Sequence, residues 1–172
     1  AKRPKGSRAF EFPKRCPVCG SPVERRAGET AIRCTSRNCV AQLKERLAHV
    51  ASKGALNIEG LGPRIIEQLV DEGLVRKAAD LFSVRTEDLL GLEGFAERSA
   101  EKLVSAIRAS ARTELHRLIY ALGIRHVGER TAKLLARSFR ALEGLRSASV
   151  DRLTEVDEIG PEVAQAIVEY FS

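Results

Sequence analysis

Apolar residues recur at helical spacing over most of this chain, interrupted by short turns rich in small residues. Residues 42–52 place Leu43, Leu47 and Val50 on one face and predict a helix. Four further helices follow from the same period. The first has Ile65, Ile66, Leu69 and Val70 on one face and stops at Gly73; the second has Ala100, Leu103, Val104 and Ile107. The third has Ala132, Leu135 and Phe139, and the fourth Val163, Ala164, Ile167, Val168 and Phe171. Pro63 and Pro161 each follow a glycine, where proline opens a helix without losing a useful N–H. Thr86, Thr113 and Ser149 are expected to cap the preceding helices. The 14 residues 20–33 suit a short hairpin, with Arg25, Arg26, Ala27 and Gly28 near its turn and Thr30-Ala31-Ile32 on the return strand.

The turns between helices repeat. Gly60-Leu61-Gly62, Gly94-Phe95-Ala96, His126-Val127-Gly128 and Glu158-Ile159-Gly160 stand at steps of 34, 32 and 32 residues. Glycines at the ends of such a turn allow backbone angles closed to other residues and let a ligand approach the N–H groups. Each turn feeds a helix N-terminus, where free N–H groups and the helix dipole favour a phosphate. The alternative is that the glycines only make tight helix–helix connections.

Charge narrows the choice. The net charge of +6 is uneven: residues 1–55 carry +9 and residues 56–172 carry −3. Within the second part, residues 56–113 sum to −2, residues 114–146 to +4 and residues 147–172 to −5. A basic front module and one basic central repeat point to a polyanion partner. With 44% hydrophobic and 30% charged residues the chain is neither disordered nor membrane-spanning. At 5% aromatic content and no tryptophan, a base-stacking surface for single strands is not expected. Starting at Ala1 with no methionine anywhere, the sequence reads as a piece of a longer chain.

All four cysteines fall early, as Cys16, Cys19, Cys34 and Cys39, with spacing C-x2-C-x14-C-x4-C. Two thiolates two residues apart grip one metal from a tight turn, and four close a tetrahedral structural zinc site. Nothing suggests the oxidising compartment that disulfides need. An iron–sulfur cluster uses the same ligand set, and spacing alone does not separate it from zinc. So small a segment would draw most of its folding free energy from the metal, leaving Arg25, Arg26, Arg33, Arg37, Lys44 and Arg46 for its surface. His49, on the helix that follows, is expected to pack or to lie on the surface, and not to ligate. The sequence thus divides into a linker (1–13), a four-cysteine module with its helix (14–50) and a helical repeat domain (51–172).

The turns resemble the helix-hairpin-helix motif, and their combination with the cysteine module resembles bacterial NAD-dependent DNA ligase. The residues that carry the likeness are Cys16-Pro17-Val18-Cys19-Gly20, Ala55-Leu56-Asn57-Ile58-Glu59-Gly60-Leu61-Gly62 and Ala121-Leu122-Gly123-Ile124-Arg125-His126-Val127-Gly128, and it runs from Phe10 to Ser172. The resemblance implies a mainly α fold: a small zinc finger, then an all-helical array of four helix-hairpin-helix motifs. It implies a place after adenylation and OB-fold domains and before a BRCT domain, in a cytoplasmic, monomeric ligase that seals nicks in replication and repair. It further implies zinc on the four cysteines, NAD used by the adenylation domain, and nicked duplex DNA held by its phosphates. The residues implied for DNA contact are Gly60, Gly62, Gly94, Ala96, Gly123, Arg125, His126, Gly128, Arg130 and Lys133.

Three departures from the motif matter. Ala96 closes the second turn where glycine is usual, His126 opens the third, and Glu158 opens the fourth beside Asp157. A carboxylate at the mouth of an anion site repels phosphate, so the fourth hairpin is expected to pack the array and not to touch DNA. The family's Lys-x-Asp-Gly motif, whose lysine takes AMP from NAD, is missing: no lysine here is followed two residues later by aspartate. His49, His116 and His126 are scattered, with no nucleophile arranged around them. The segment is therefore expected to be catalytically silent alone. A stand-alone DNA-binding protein and a protein–protein scaffold are the competing readings.

Overall fold

The computed structural model describes residues 10–25, 28 and 30–172. They form two compact units, Ala1–Gln42 and Leu43–Ser172. The first holds an antiparallel hairpin of β1 (Val23–Arg25) and β2 (Ile32–Cys34), with Val23 opposite Cys34 and Arg25 opposite Ile32. The return strand thus lies two residues later than the sequence suggests, a register that draws Cys34 back toward Cys16 and Cys19. Arg26 and Ala27, expected near the turn, lie outside the described residues.

Helix α1 (Val40–Ala51) starts in the first unit and continues into the second. Its apolar face supplies Leu47, Val50 and Ala51 to the core of the helical unit. The physical reason is economy of apolar surface: a thiolate cluster needs little hydrophobic cover, whereas the first repeat needs a helix on its open side.

The second unit is all helical: α2 (Pro63–Asp71), a 3-10 helix (Ala78–Ser83), α3 (Thr86–Leu90), α4 (Glu97–Ser110), α5 (Leu115–Ala121), α6 (Glu129–Phe139), α7 (Leu142–Arg146), α8 (Val150–Thr154) and α9 (Pro161–Phe171). Its buried residues fall into two clusters. One runs from Leu47 to Ile107 with Ala121, the other from Ile119 to Ile167, and Tyr120 packs against both. The four turns are therefore grouped as two tandems, and the 3-10 helix and α7 occupy the same place in each. Seen from the sequence, these connectors are too short to declare a period.

Helix ends follow local chemistry. The Ser149 hydroxyl accepts the Arg152 N–H at 3.2 Å, the cap its sequence predicts. Thr86 and Thr113 do not cap. Thr86 is the first residue of α3, and the Asp88 carboxylate accepts the Arg85 N–H at 2.9 Å; α5 starts after Glu114, with no side-chain cap.

Candidate nucleic-acid interface and cysteine cluster

In the first unit the Cys16–Gly20 turn closes by hydrogen bonds from Cys16 N to Ser21 O (2.8 Å) and Gly20 N to Cys16 O (2.9 Å), with Gly20 at φ 70°. The hairpin and the start of α1 bring in Cys34 and Cys39. All four sulfurs lie within 4.8 Å of one another, with Cys16–Cys39 at 3.9 Å, Cys19–Cys34 at 3.4 Å and no disulfide. Tetrahedral zinc with Zn–S bonds near 2.3 Å sets its sulfurs about 3.8 Å apart, so the cluster has the size of that ion. The Cys19 thiol is pulled down to about 6 by hydrogen bonds from the Ser21 side chain and backbone. The Ser36 N–H also lowers Cys34, but loss of water and the facing sulfurs of Cys19 and Cys16 outweigh it, and that thiol is pushed up to about 12. A cation bound here would displace thiol protons and be held by the resulting thiolates.

In the second unit the four turns have one build. Leu61 N bonds Ile58 O at 3.2 Å, Phe95 N bonds Leu92 O at 3.4 Å, Val127 N bonds Ile124 O at 3.1 Å and Ile159 N bonds Val156 O at 3.0 Å. The opening residue is left-handed in every copy: Gly60 and Gly94 at φ 85°, His126 at 63° and Glu158 at 68°. The middle residues Leu61, Val127 and Ile159 are buried, which pins each turn to its core. The closing residue caps the next helix in extended backbone, with φ −86° at Gly62, −122° at Ala96, −86° at Gly128 and −81° at Gly160. Added Cβ atoms at Gly62, Gly128 and Gly160 would meet nothing within 4 Å. The left-handed angle explains glycine at the opening positions; neither backbone nor packing explains it at the closing ones, where a side chain would meet open space.

Charges cross from turn to turn. Arg64 bonds Glu93 at 2.8 Å, joining the first and second turns. Arg130 bonds Glu158, joining the third and fourth, and His126 Nε2 lies 3.4 Å from a Glu162 oxygen. The opening carboxylate of the fourth turn thus lies on an arginine behind the third.

The comparisons follow the same division. Residues 15–41 match the model of the NAD-dependent DNA ligase C4 zinc finger domain, residues 53–109 that of the SAM-like helix-hairpin-helix tandem, and residues 117–172 that of the helix-hairpin-helix motif. A DNA ligase of Pelotomaculum thermopropionicum is 51% identical over 171 residues, covering 99% of this chain and 25% of that protein. A DNA ligase of Koribacter versatilis is 46% identical over 169 residues, with 98% and 25% covered. The chain belongs to the NAD-dependent DNA ligase family. It spans about a quarter of the length of the curated relatives it matches.

The structure brings predicted residues of the first tandem together. Gly60 and Gly94 line one groove with Arg64, Glu93 and Lys102. Gly123 stands apart. It is left-handed at the end of α5, its N–H bonding Tyr120 O at 3.0 Å, and the His49 ring lies over it. His49 packs, its Nε2 2.7 Å from Tyr120 O. Lys44, expected on the open basic surface, is held by Asp71 at 2.8 Å and Glu67 at 3.4 Å, whose carboxylates raise its amine above the ordinary lysine value. Arg64 and Glu93 escaped the sequence reading. Their signal was there: Arg64 and Arg130 both stand two residues past a closing glycine.

Proposed function

We propose that this chain is the duplex-holding part of an NAD-dependent DNA ligase and that it keeps a nicked duplex in place for a catalytic domain outside this sequence. The observation that carries the reading is the shared build of the four turns. A left-handed opening residue and an extended closing residue recur in all four, the middle residue is buried in the first, third and fourth, and the closing glycines of those three leave room for a phosphate at a helix start. Each of the four is read as a helix-hairpin-helix motif. N–H groups at a helix start bind phosphate without reading bases, so recognition is directed at the duplex backbone.

Gly62 and Gly128 are the phosphate-facing positions of the first and third hairpins, and Gly60 and Gly94 set the left-handed backbone that opens the first two turns. Ala96 is the weak member, because its N–H is taken by the Ser99 hydroxyl at 2.9 Å. Arg125, Arg130 and Lys133 add charge around the third. His126 presents an imidazole beside that site. The fourth hairpin, with Glu158 at its mouth, serves to close the second tandem.

Zinc fits Cys16, Cys19, Cys34 and Cys39 and would cross-link the first unit, a structural task with no open ligand position. NAD does not fit this chain. The nucleotidyl-transferring lysine motif is missing from its sequence, and no step through the cofactor belongs to these residues.

The test is a titration of labelled nicked and intact duplexes at several salt concentrations. Nanomolar to micromolar binding with little sequence preference and a steep loss with salt is expected. A flat salt response, or strong preference for one base sequence, refutes the reading. Incubation with NAD and nicked DNA is expected to seal nothing.

A further inference from the structure

The hairpins account for the ends of the two tandems, not for the surface between them. There, three open grooves adjoin. The first is lined by Asn57, Glu59, Arg112 and Arg117, the second by Lys53, Gly54, Arg117, Glu129 and Lys133, and the third by His116, Lys133 and Arg137. Arg117 is shared by the first and second, and His116 and Lys133 by the second and third. The grooves therefore form one seam. It begins beside the first turn, through Asn57 and Glu59, and passes Glu129, the residue directly behind the third turn.

The seam is held in shape. Arg117 Nη2 donates to Lys53 O at 2.6 Å, which ties α5 to the loop after α1. The Glu129 carboxylate lies directly over Gly54, where an added Cβ would come within 2.3 Å of its Oε1. The φ of Gly54 is not left-handed, so the closeness of Glu129 and Tyr120 is the constraint at this position.

The cations of the seam are available. Lys53, Arg112, Lys133 and Arg137 are exposed, and none makes an ion pair among the described residues. The seam's acids are Glu59, Glu114 and Glu129; Glu114 is held by His116 Nδ1 at 3.1 Å. By contrast Arg64 and Arg130, nearer the turns, are occupied by carboxylates.

We propose that this seam is a second phosphate-contacting surface: Lys53, Arg112, Lys133 and Arg137 take the sugar–phosphate backbone of the same duplex whose ends of contact are the first and third turns. The proposal rests on the duplex-holding reading above. Its partner follows from continuity with the turns. The seam adjoins both turns through its lining, and long flexible cations there track phosphates without requiring a base sequence.

The test uses the whole chain with two of the four exposed seam cations removed, Lys53→Ala/Arg112→Ala, and a control lacking two exposed cations away from the seam, Arg76→Ala/Arg146→Ala. Circular dichroism shows whether each is folded. Binding of a labelled nicked duplex is then measured at four salt concentrations. The seam variant is expected to bind about tenfold more weakly, with the slope of log K against log salt shallower by about 2. The control is expected to change much less. Equal losses in both variants would mean a net-charge effect and overturn the seam. An unchanged affinity and slope in the seam variant, with the wild-type chain binding normally, would overturn it also. Failure of the wild-type chain to bind duplex at any salt concentration removes the duplex-holding reading itself and the seam with it. Loss of binding to an acidic peptide but not to DNA would assign the seam to a protein partner and refute the proposal.

Discussion

The Arg64 guanidinium lies 2.8 Å from the Glu93 carboxylate, and it does so two residues past the closing glycine of its turn. Arg130 stands at the same position in the second tandem and meets Glu158. Each tandem thus carries one arginine that a neighbouring turn neutralises. Both pairs are exposed, so each contributes little to stability, on the order of 0–1 kcal/mol. Their larger effect is on a polyanion, which must displace the carboxylate to gain the arginine.

Removing that competition should show as affinity. Glu158→Gln is expected to raise duplex affinity about three- to tenfold and to make its salt dependence steeper, because Arg130 becomes available to a phosphate. Thermal stability should change by less than about 1 kcal/mol. The titration at several salt concentrations reads both quantities. Weaker binding by a folded Glu158→Gln would mean that the carboxylate positions Arg130 and does not compete for it.

The zinc reading makes a separable prediction, since the cysteines lie in one compact unit and nearly all helices in the other. One zinc per chain is expected by elemental analysis. Cys34→Ser, or strong chelation, should unfold residues 14–40 and leave the helical unit largely intact. Hydrogen exchange resolved by segment checks it. Iron in place of zinc, or protection of residues 14–40 without any metal, would contradict the assignment.

A third prediction follows from the Asp88 carboxylate, which accepts the Arg85 N–H at 2.9 Å and lies below its ordinary value for that reason first. Asp88→Ala should cost about 1 kcal/mol at neutral pH. Because the folded value is depressed, this contribution is fully present above the ordinary carboxylate value of 3.8 and is lost as pH falls through the lower folded value. Denaturant titrations of the wild type and variant should therefore converge in strong acid. A difference that persists there would assign the effect to packing.

What the sequence disclosed depended on range. The helices behind the turns were legible because Ile65 to Val70 or Val163 to Phe171 repeat the apolar period for two turns or more. The left-handed openings were legible at Gly60 and Gly94 but not at His126 and Glu158, where only the position in the repeat gives the backbone away. Thr86 misled because the cap bond is made by Asp88, two residues on. The assignment of Leu47 and Val50 to the helical core is a long-range fact, as are Arg64–Glu93 and the packing of Glu129 on Gly54. None of these leaves a local period.

The opening and closing residues of the turns should separate stability from binding. Gly94 is at φ 85° with open space around it, so Gly94→Ala pays only the left-handed backbone cost, on the order of 1–2 kcal/mol. Its duplex affinity, measured where it remains folded, should change little. Gly128 has the ordinary φ of −86° and also faces open space. Gly128→Val should therefore fold with a loss of about 1 kcal/mol or less, while its branched side chain shields the N–H face and weakens binding tenfold or more. Gly160 has equivalent geometry, with φ −81°, but belongs to the turn with Glu158 at its mouth. Gly160→Ala should leave both stability and affinity nearly unchanged. These three variants, measured at one salt concentration alongside denaturant melts, decide whether the closing glycines face a ligand. If Gly128→Val folds and binds like the wild type, the bare N–H face of the third turn has no phosphate on it. If Gly160→Ala weakens binding as much as Gly128→Val, the fourth turn is in contact and the charge argument against it is wrong.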